Sequence, residues 1–166
     1  MKKIVIYNHG KESTPWSEKS LAFAEVAKRY GYDFESPDYR LQSDPEERIR
    51  QLLAMDLSAY GECILIGSSM GGYVATVASE TIKPHGLFLL APAFYLPGYP
   101  RTDFHPPAAR TLVIHGWQDD IVLPGNSWMF CQKHSIRLNM VNADHRLLSE
   151  LPYLTEEFER FLRTLP

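Results

Sequence analysis

Ser69 sits in Gly67-Ser68-Ser69-Met70-Gly71-Gly72, directly behind the apolar run Cys63-Ile64-Leu65-Ile66. A serine hydroxyl is a weak nucleophile until a neighbouring base takes its proton. Chemistry at this position therefore needs a base, and something to orient that base. Gly67 and Gly71 leave room for backbone to approach closely, where side chains would block it. With glycine near 7% of residues, Gly-x-Ser-x-Gly arises by chance in roughly 5% of chains this long, so a plain Gly/Ser-rich turn accounts for the bare pattern. The apolar run ahead and the helical pattern behind argue instead for a serine held at a strand-to-helix turn.

Two later segments supply partners. Thr111-Leu112-Val113-Ile114-His115-Gly116-Trp117-Gln118-Asp119-Asp120-Ile121-Val122 is an apolar strand pattern ending in a glycine loop with two carboxylates. Ile136 to Val141 is another, followed by Asn142-Ala143-Asp144-His145-Arg146. Histidine titrates near neutrality, so His145 is suited to accept the serine proton and return it to a leaving group. A carboxylate behind it would fix the imidazole tautomer and stabilise the imidazolium. His9 and His115 end strands before a glycine and could lie near the site without being the base. No strand leads into His105 or His134, and His85 reads as a surface turn beside Pro84. His145 is the favoured base.

Taken together, Tyr7-Asn8-His9-Gly10, the Gly67–Gly72 segment, His115-Gly116-Trp117-Gln118-Asp119 and Asp144-His145-Arg146 resemble a compact α/β-hydrolase over nearly the whole chain. The resemblance is greatest to small bacterial esterases of the YqiA type. It implies that Ser69 is the nucleophile on a strand–turn–helix elbow, followed in chain order by the acid and then the histidine. It places the acid at Asp119 rather than Asp120, because the stretch resembles the family pattern Gly-x-x-Asp-x-x-Val. By the same resemblance, the backbone amides of Lys11 and Met70 form the oxyanion hole. The implied activity is hydrolysis of small esters, or thioesters, through an acyl-enzyme. The implied sheet order is 2-1-3-4-5-6, with no cap domain and hence an open cleft. Asn8 and Lys11 stand where the small esterases more usually have apolar residues, a difference that bears on substrate preference. A second reading is a protein-interaction module on a hydrolase scaffold with little or no catalysis. The presence of serine, acid and histidine together weighs against it.

The whole chain suits that fold. Its 166 residues predict a single domain, residues 1–166. Apolar runs at Lys3–Asn8, Asp33–Ser36, Cys63–Gly67, Leu87–Ala91, Thr111–Ile114 and Ile136–Val141 alternate with helical patterns. That alternation predicts an α/β class with three α/β/α layers and a six-stranded parallel sheet. Thr14 and Pro15 are read as the start of one helix, ended by Gly31. Asp44-Pro45-Glu46-Glu47 is read as the capped start of a second, with Ile49, Leu52 and Leu53 as its buried stripe. A third runs from Met70, and a fourth carries Leu151, Leu154, Phe158, Phe161, Leu162 and Leu165 at helical spacing. In the hydrolase-like order, the sheet reverses direction between the first and third strands, the switch point where open α/β sheets bind ligands.

The proline- and aromatic-rich stretch from Ala91 to Arg110 is long enough to wall a pocket, with Phe94 and Tyr95 as candidate lining. Trp16 and Trp117, near strand-end loops, are further candidates. Arg40, Arg101 and Arg146 could meet an anionic substrate, although lone arginines are usually solvated surface. No cofactor is expected and no metal site: there is no His-Glu-x-x-His, paired Cys-x-x-Cys or phosphate-binding glycine loop. A net charge of −3 gives no electrostatic case for nucleic acid or an anionic membrane. The apolar run after Met1-Lys2-Lys3 is too short for a signal peptide or a membrane span, which makes the cytoplasm the expected location. The two cysteines, Cys63 and Cys131, read as buried thiols. The expected partner is a small-molecule ester or thioester, and oligomeric state is left open.

Overall fold

The computed structural model describes residues 1–165. Six strands, β1 (Lys2–Asn8), β2 (Asp33–Glu35), β3 (Tyr60–Ser68), β4 (Gly86–Leu90), β5 (Thr111–Gly116) and β6 (Arg137–Val141), form one parallel sheet in the order β2-β1-β3-β4-β5-β6. Five α-helices accompany them: α1 (Glu18–Arg29), α2 (Pro45–Leu53), α3 (Met70–Ile82) and α4 (Pro124–His134) between strands, and α5 (Leu151–Thr164) after β6.

Alternation along the strands sorts the core into two layers. Ile4, Ile6, Leu65, Leu87, Leu89 and Val113 face a cluster with Ile49, Leu52, Tyr73, Val74 and Phe130 of α2, α3 and α4. The intervening Val5, Tyr7, Ile64, Ile66, Phe88 and Leu90 face Phe23, Val26, Leu154 and Phe158 of α1 and α5. Both faces being covered explains why the strands read as continuous apolar runs. Phe158 meets Phe23 and Phe88 edge to face, with centroids 5.3 and 5.2 Å apart. Each such pair adds about 0.5–1.5 kcal/mol beyond the area buried.

The helix boundaries correct several sequence expectations. Helix α1 begins at Glu18, not near Pro15, because Ser17 and Ser20 satisfy each other's backbone amides in a capping box. Thr14 instead donates its hydroxyl to the Trp16 carbonyl. Asp44 caps α2 through the Glu46 amide, while Glu47 pairs with Arg50 rather than closing a capping box. The buried stripe of α2 is Pro45, Arg48, Ile49 and Leu52, and Leu53 is exposed. Helix α4 lies outside the sequence expectations altogether, since its buried residues, Ser127, Phe130 and Cys131, make no clear apolar stripe. Helix α3, by contrast, is buried throughout from Met70 to Ser79. It runs directly behind Ser69, beneath the carboxyl ends of β1 and β3.

Candidate active site

Ser69 occupies the single residue between β3 and α3. Its backbone has a positive φ of 55° with ψ −118°, a sparsely populated conformation that costs a non-glycine residue on the order of 1–3 kcal/mol. The surroundings hold it there. The Ser69 amide donates to the Leu90 carbonyl at 3.0 Å, and the Ser69 carbonyl accepts from Gly72 and Ala93 at 2.9 and 3.0 Å. The tight turn explains the glycines: a Cβ on Gly67 would overlap the Gly71 carbonyl, and one on Gly71 would overlap the Asn8 carbonyl.

The loops after β5 and β6 bring the other two groups to this hydroxyl. Ser69 Oγ lies 2.9 Å from His145 Nε2, and His145 Nδ1 lies 2.7 Å from Asp119 Oδ2. The loops are tied to one another, since the Trp117 amide donates to the Val141 carbonyl and the Gln118 amide to the Ala143 carbonyl. Asp144 Oδ1 accepts from the Arg146 and Leu147 amides and so shapes the turn around His145. Asp119 Oδ1 accepts from the Ile121 and Val122 amides, both at 2.9 Å. Burial works against the Asp119 charge. Hydrogen bonds from His115, His145 and Val122, with the His145 charge beside it, outweigh burial and hold the carboxyl well below the usual carboxylate range. Asp120 is exposed and takes no part in this chain of bonds.

His115 completes the support of the acid. Its Nε2–H lies between Asp119 Oδ2 and the Val122 carbonyl, each at 2.9 Å, and Ser127 Oγ lies 2.7 Å from its Nδ1. Both ring nitrogens of His115 are thus bonded within the protein.

The loop after β1 is held from below. Arg48 is fully buried and has no carboxylate partner among the described residues. Its guanidinium donates to the carbonyls of Gln42 at 2.7 Å, His9 at 2.8 Å, Gly10 at 3.2 Å and Lys11 at 3.2 Å. The Gly10 carbonyl also accepts from His9 Nδ1 at 2.8 Å. In a trans peptide the next N–H points the opposite way from the carbonyl. Fixing the Gly10 carbonyl toward Arg48 therefore turns the Lys11 amide away from it. Neither that amide nor that of Met70 has a protein acceptor among the described residues. The Met70 amide also stands at the positive end of α3. His9 accepts the Tyr39 amide on Nε2 at 2.9 Å; burial, and secondarily Arg48, push its pKa down and favour the neutral ring.

A cleft of about 690 Å³ opens over Ser69 and His145. Its apolar lining comes from Tyr7, Ala93, Leu96, Tyr99, Ile121, Val122 and Leu148. The Ala91–Arg110 stretch thus contributes Ala93, Leu96 and Tyr99, not Phe94 and Tyr95. Phe94 is fully buried and stacks on Phe130 with centroids 4.2 Å apart, and Tyr95 packs against the same cluster. Trp16 leans on Phe34, and Trp117 is largely exposed, so neither lines the cleft. Asn8 is also buried, bonded to the Ile66 carbonyl and the Tyr39 hydroxyl, and cannot touch a substrate; Lys11 lines the cleft. Arg40 and Arg101 pair with Asp38 and Glu80, leaving Arg146 as the one of the three candidate arginines at the cleft. Sequence reasoning passed over Arg48 although a signal existed: an arginine occupying a position of the apolar stripe of α2.

Comparison with known proteins agrees with this architecture. A protein of the α/β superfamily from Xanthomonas campestris pv. campestris, proposed to be a hydrolase, superposes with a TM-score of 0.88 at 29% identity, over 99% of this chain and 100% of that one. An α/β serine hydrolase without lid from Xanthomonas campestris gives 0.74 at 19% identity, over 100% and 84%. Est1E from Butyrivibrio proteoclasticus gives 0.76 at 16% identity, over 97% and 87%. No curated protein matches the chain by sequence. Among the described residues, no helix is long and apolar enough to cross a membrane. The model of the uncharacterised protein family UPF0227 matches residues 4–145, most of the chain, so this protein belongs to that family and carries the α/β-hydrolase fold.

Proposed function

We propose that the protein is a serine hydrolase that cleaves small esters or thioesters through an acyl-enzyme. The observation that carries this reading is the unbroken relay from Ser69 Oγ through His145 to Asp119, with contacts of 2.9 and 2.7 Å. His145 Nε2 takes the hydroxyl proton as Ser69 Oγ bonds to the substrate carbonyl carbon, and the carbonyl electrons move onto oxygen. Asp119 holds the Nδ1 proton and stabilises the imidazolium that forms. The oxyanion is received by the amides of Lys11 and Met70, donors of a kind worth about 2.7–4 kcal/mol each in the transition state. Collapse of the intermediate breaks the bond to the leaving oxygen or sulfur, which takes the proton from His145. Water then repeats the sequence on the acyl-enzyme, releasing the acid and restoring the serine.

Ester chemistry is supported by the open cleft and by a fold shared with Est1E and the lidless serine hydrolase. The two unpaired thiols, Cys63 and Cys131, accord with a reducing compartment, and we place the enzyme in the cytoplasm.

Labelling with a fluorophosphonate probe tests the reading. Wild type is expected to take up one probe per chain, and Ser69→Ala none. Labelling that survives the substitution would put the nucleophile elsewhere. An unlabelled wild type would favour a binding module built on a hydrolase scaffold.

A further inference from the structure

The cleft beside Ser69 is lined by three cationic side chains, Lys11, Lys19 and Arg146, and by two carboxylates, Glu12 and Glu18. Lys19, in the first turn of α1, is half-buried and reaches across the cleft wall. Its ammonium donates to Ser68 Oγ at 3.0 Å and to the Arg146 carbonyl at 3.0 Å. Ser68 directly precedes the nucleophile and Arg146 directly follows the base, so both contacts hold the charge within the reacting region. An ammonium has three donors, and these two acceptors leave one unspent.

Among the described residues, Lys19, Lys11 and Arg146 all line the cleft, and no carboxylate forms an ion pair with any of them. Asp144 is the nearby acid, but its Oδ1 is committed to the backbone amides of Arg146 and Leu147. Glu12 and Glu18 also line the cleft, on exposed positions, and neither pairs with Lys19. Burial first, and then Arg146, push the Lys19 pKa down to about 8, while Asp144 pulls it the other way. Two cations held close together are costly unless an anion comes between them.

We propose that this cleft selects substrates that carry a carboxylate or phosphate, bound by Lys19 with Arg146 beside it. The inference names a substrate class for the proposed hydrolase and rests on that reading. The anion takes the third ammonium donor as a charge-assisted hydrogen bond, and the Ser68 and Arg146 contacts keep the ammonium in place for it. Lys19 is thus a specificity-determining residue and takes no part in proton transfer.

The test compares matched esters, with spontaneous hydrolysis subtracted. In one arm the charge is on the acyl group: mono-p-nitrophenyl adipate against p-nitrophenyl hexanoate. In the other it is on the leaving group: 4-acetoxybenzoate against its methyl ester. In at least one arm, wild-type kcat/KM is expected to favour the anionic ester by about ten-fold, the scale of one hydrogen bond to a charged group. Lys19→Gln should bring that ratio close to one, and Lys19→Arg should keep most of it. A ratio near one in both arms for wild type overturns the inference, as does a preference that persists in Lys19→Gln. Fluorophosphonate labelling of wild type separates this failure from that of the parent reading. A protein that labels yet shows no anionic preference loses only the substrate class, whereas one that neither labels nor hydrolyses any of the four esters loses both.

Discussion

Two strand-end loops flank Ser69, and each rests on a buried basic side chain that lies outside the cleft. Beneath the β1 loop, Arg48 grips four backbone carbonyls with a permanent charge. Beneath the β5 loop, His115 grips one carboxylate oxygen and one carbonyl with a single N–H. The difference follows from what each loop must present. In the proposed mechanism the β1 loop offers an amide to developing negative charge, and a cation behind the peptide strengthens that dipole. In the same mechanism the β5 loop offers a carboxylate that must stay ionised while buried. A directed N–H from His115 supports that charge beside the amides of Ile121 and Val122, which take the other carboxylate oxygen. One loop is therefore braced by charge and the other by hydrogen-bond geometry.

The largest expected effect comes from removing the charge that the β5 brace serves. Asp119→Asn should lower turnover of p-nitrophenyl acetate on the order of 10⁴-fold, about 5 kcal/mol of barrier. Asp120→Asn should stay within a few-fold of wild type, since Asp120 is exposed and outside the relay. The reverse result would move the acid to Asp120 and dissolve the comparison.

Next in size is the cationic brace. Arg48→Met removes the guanidinium bonds to the His9, Gly10 and Lys11 carbonyls, so that His9 Nδ1 and the Ser13 amide alone hold the Gly10–Lys11 peptide, more loosely. If Arg48 acts by aiming the Lys11 amide, kcat should fall roughly 10²-fold, the effect of losing one oxyanion donor, with KM little changed. Arg48→Lys should recover part of the loss by restoring the charge without the fork. A rise in KM at constant kcat, in protein whose circular dichroism matches wild type, would reduce Arg48 to a packing role.

The smallest effect is assigned to the histidine brace. His115→Leu removes one donor from Asp119, so the carboxyl pKa should rise. A carboxylate whose pKa is depressed in the folded state contributes stability that is complete above its unfolded value and is lost as pH falls through the folded one. In wild type, Asp119 therefore keeps its contribution well into acid. In His115→Leu that contribution should be lost at a higher pH, and the acid limb of a plot of thermal midpoint against pH should move up. An unmoved limb would mean that His145 and the Val122 amide suffice.

The candidate reacting groups were legible in the sequence because each follows a strand whose pattern is local. Ser69, Asp119 and His145 all sit a few residues beyond an apolar run, so a parallel sheet had to deliver them to one edge. The pocket was less legible. Phe94 and Tyr95 are aromatic, as pocket walls often are, but the same property drove them into the cluster around Phe130. The helix starting at Pro124 was missed because its apolar residues fall on both sides, Trp128 and Met129 exposed and Phe130 and Cys131 buried, so no stripe stands out.

By itself, then, the chain determined the strand–helix alternation, the parallel sheet and the candidate nucleophile, acid and base, since these follow from periodicity and from short motifs read within one segment. Only the tertiary structure decided what supports them. Arg48 reaches a loop 39 residues earlier in the chain, and Lys19 joins α1 to a turn 127 residues later. Bonds over such separations depend on how helices pack against the sheet, and no local pattern of residue types records where a side chain of that length will end.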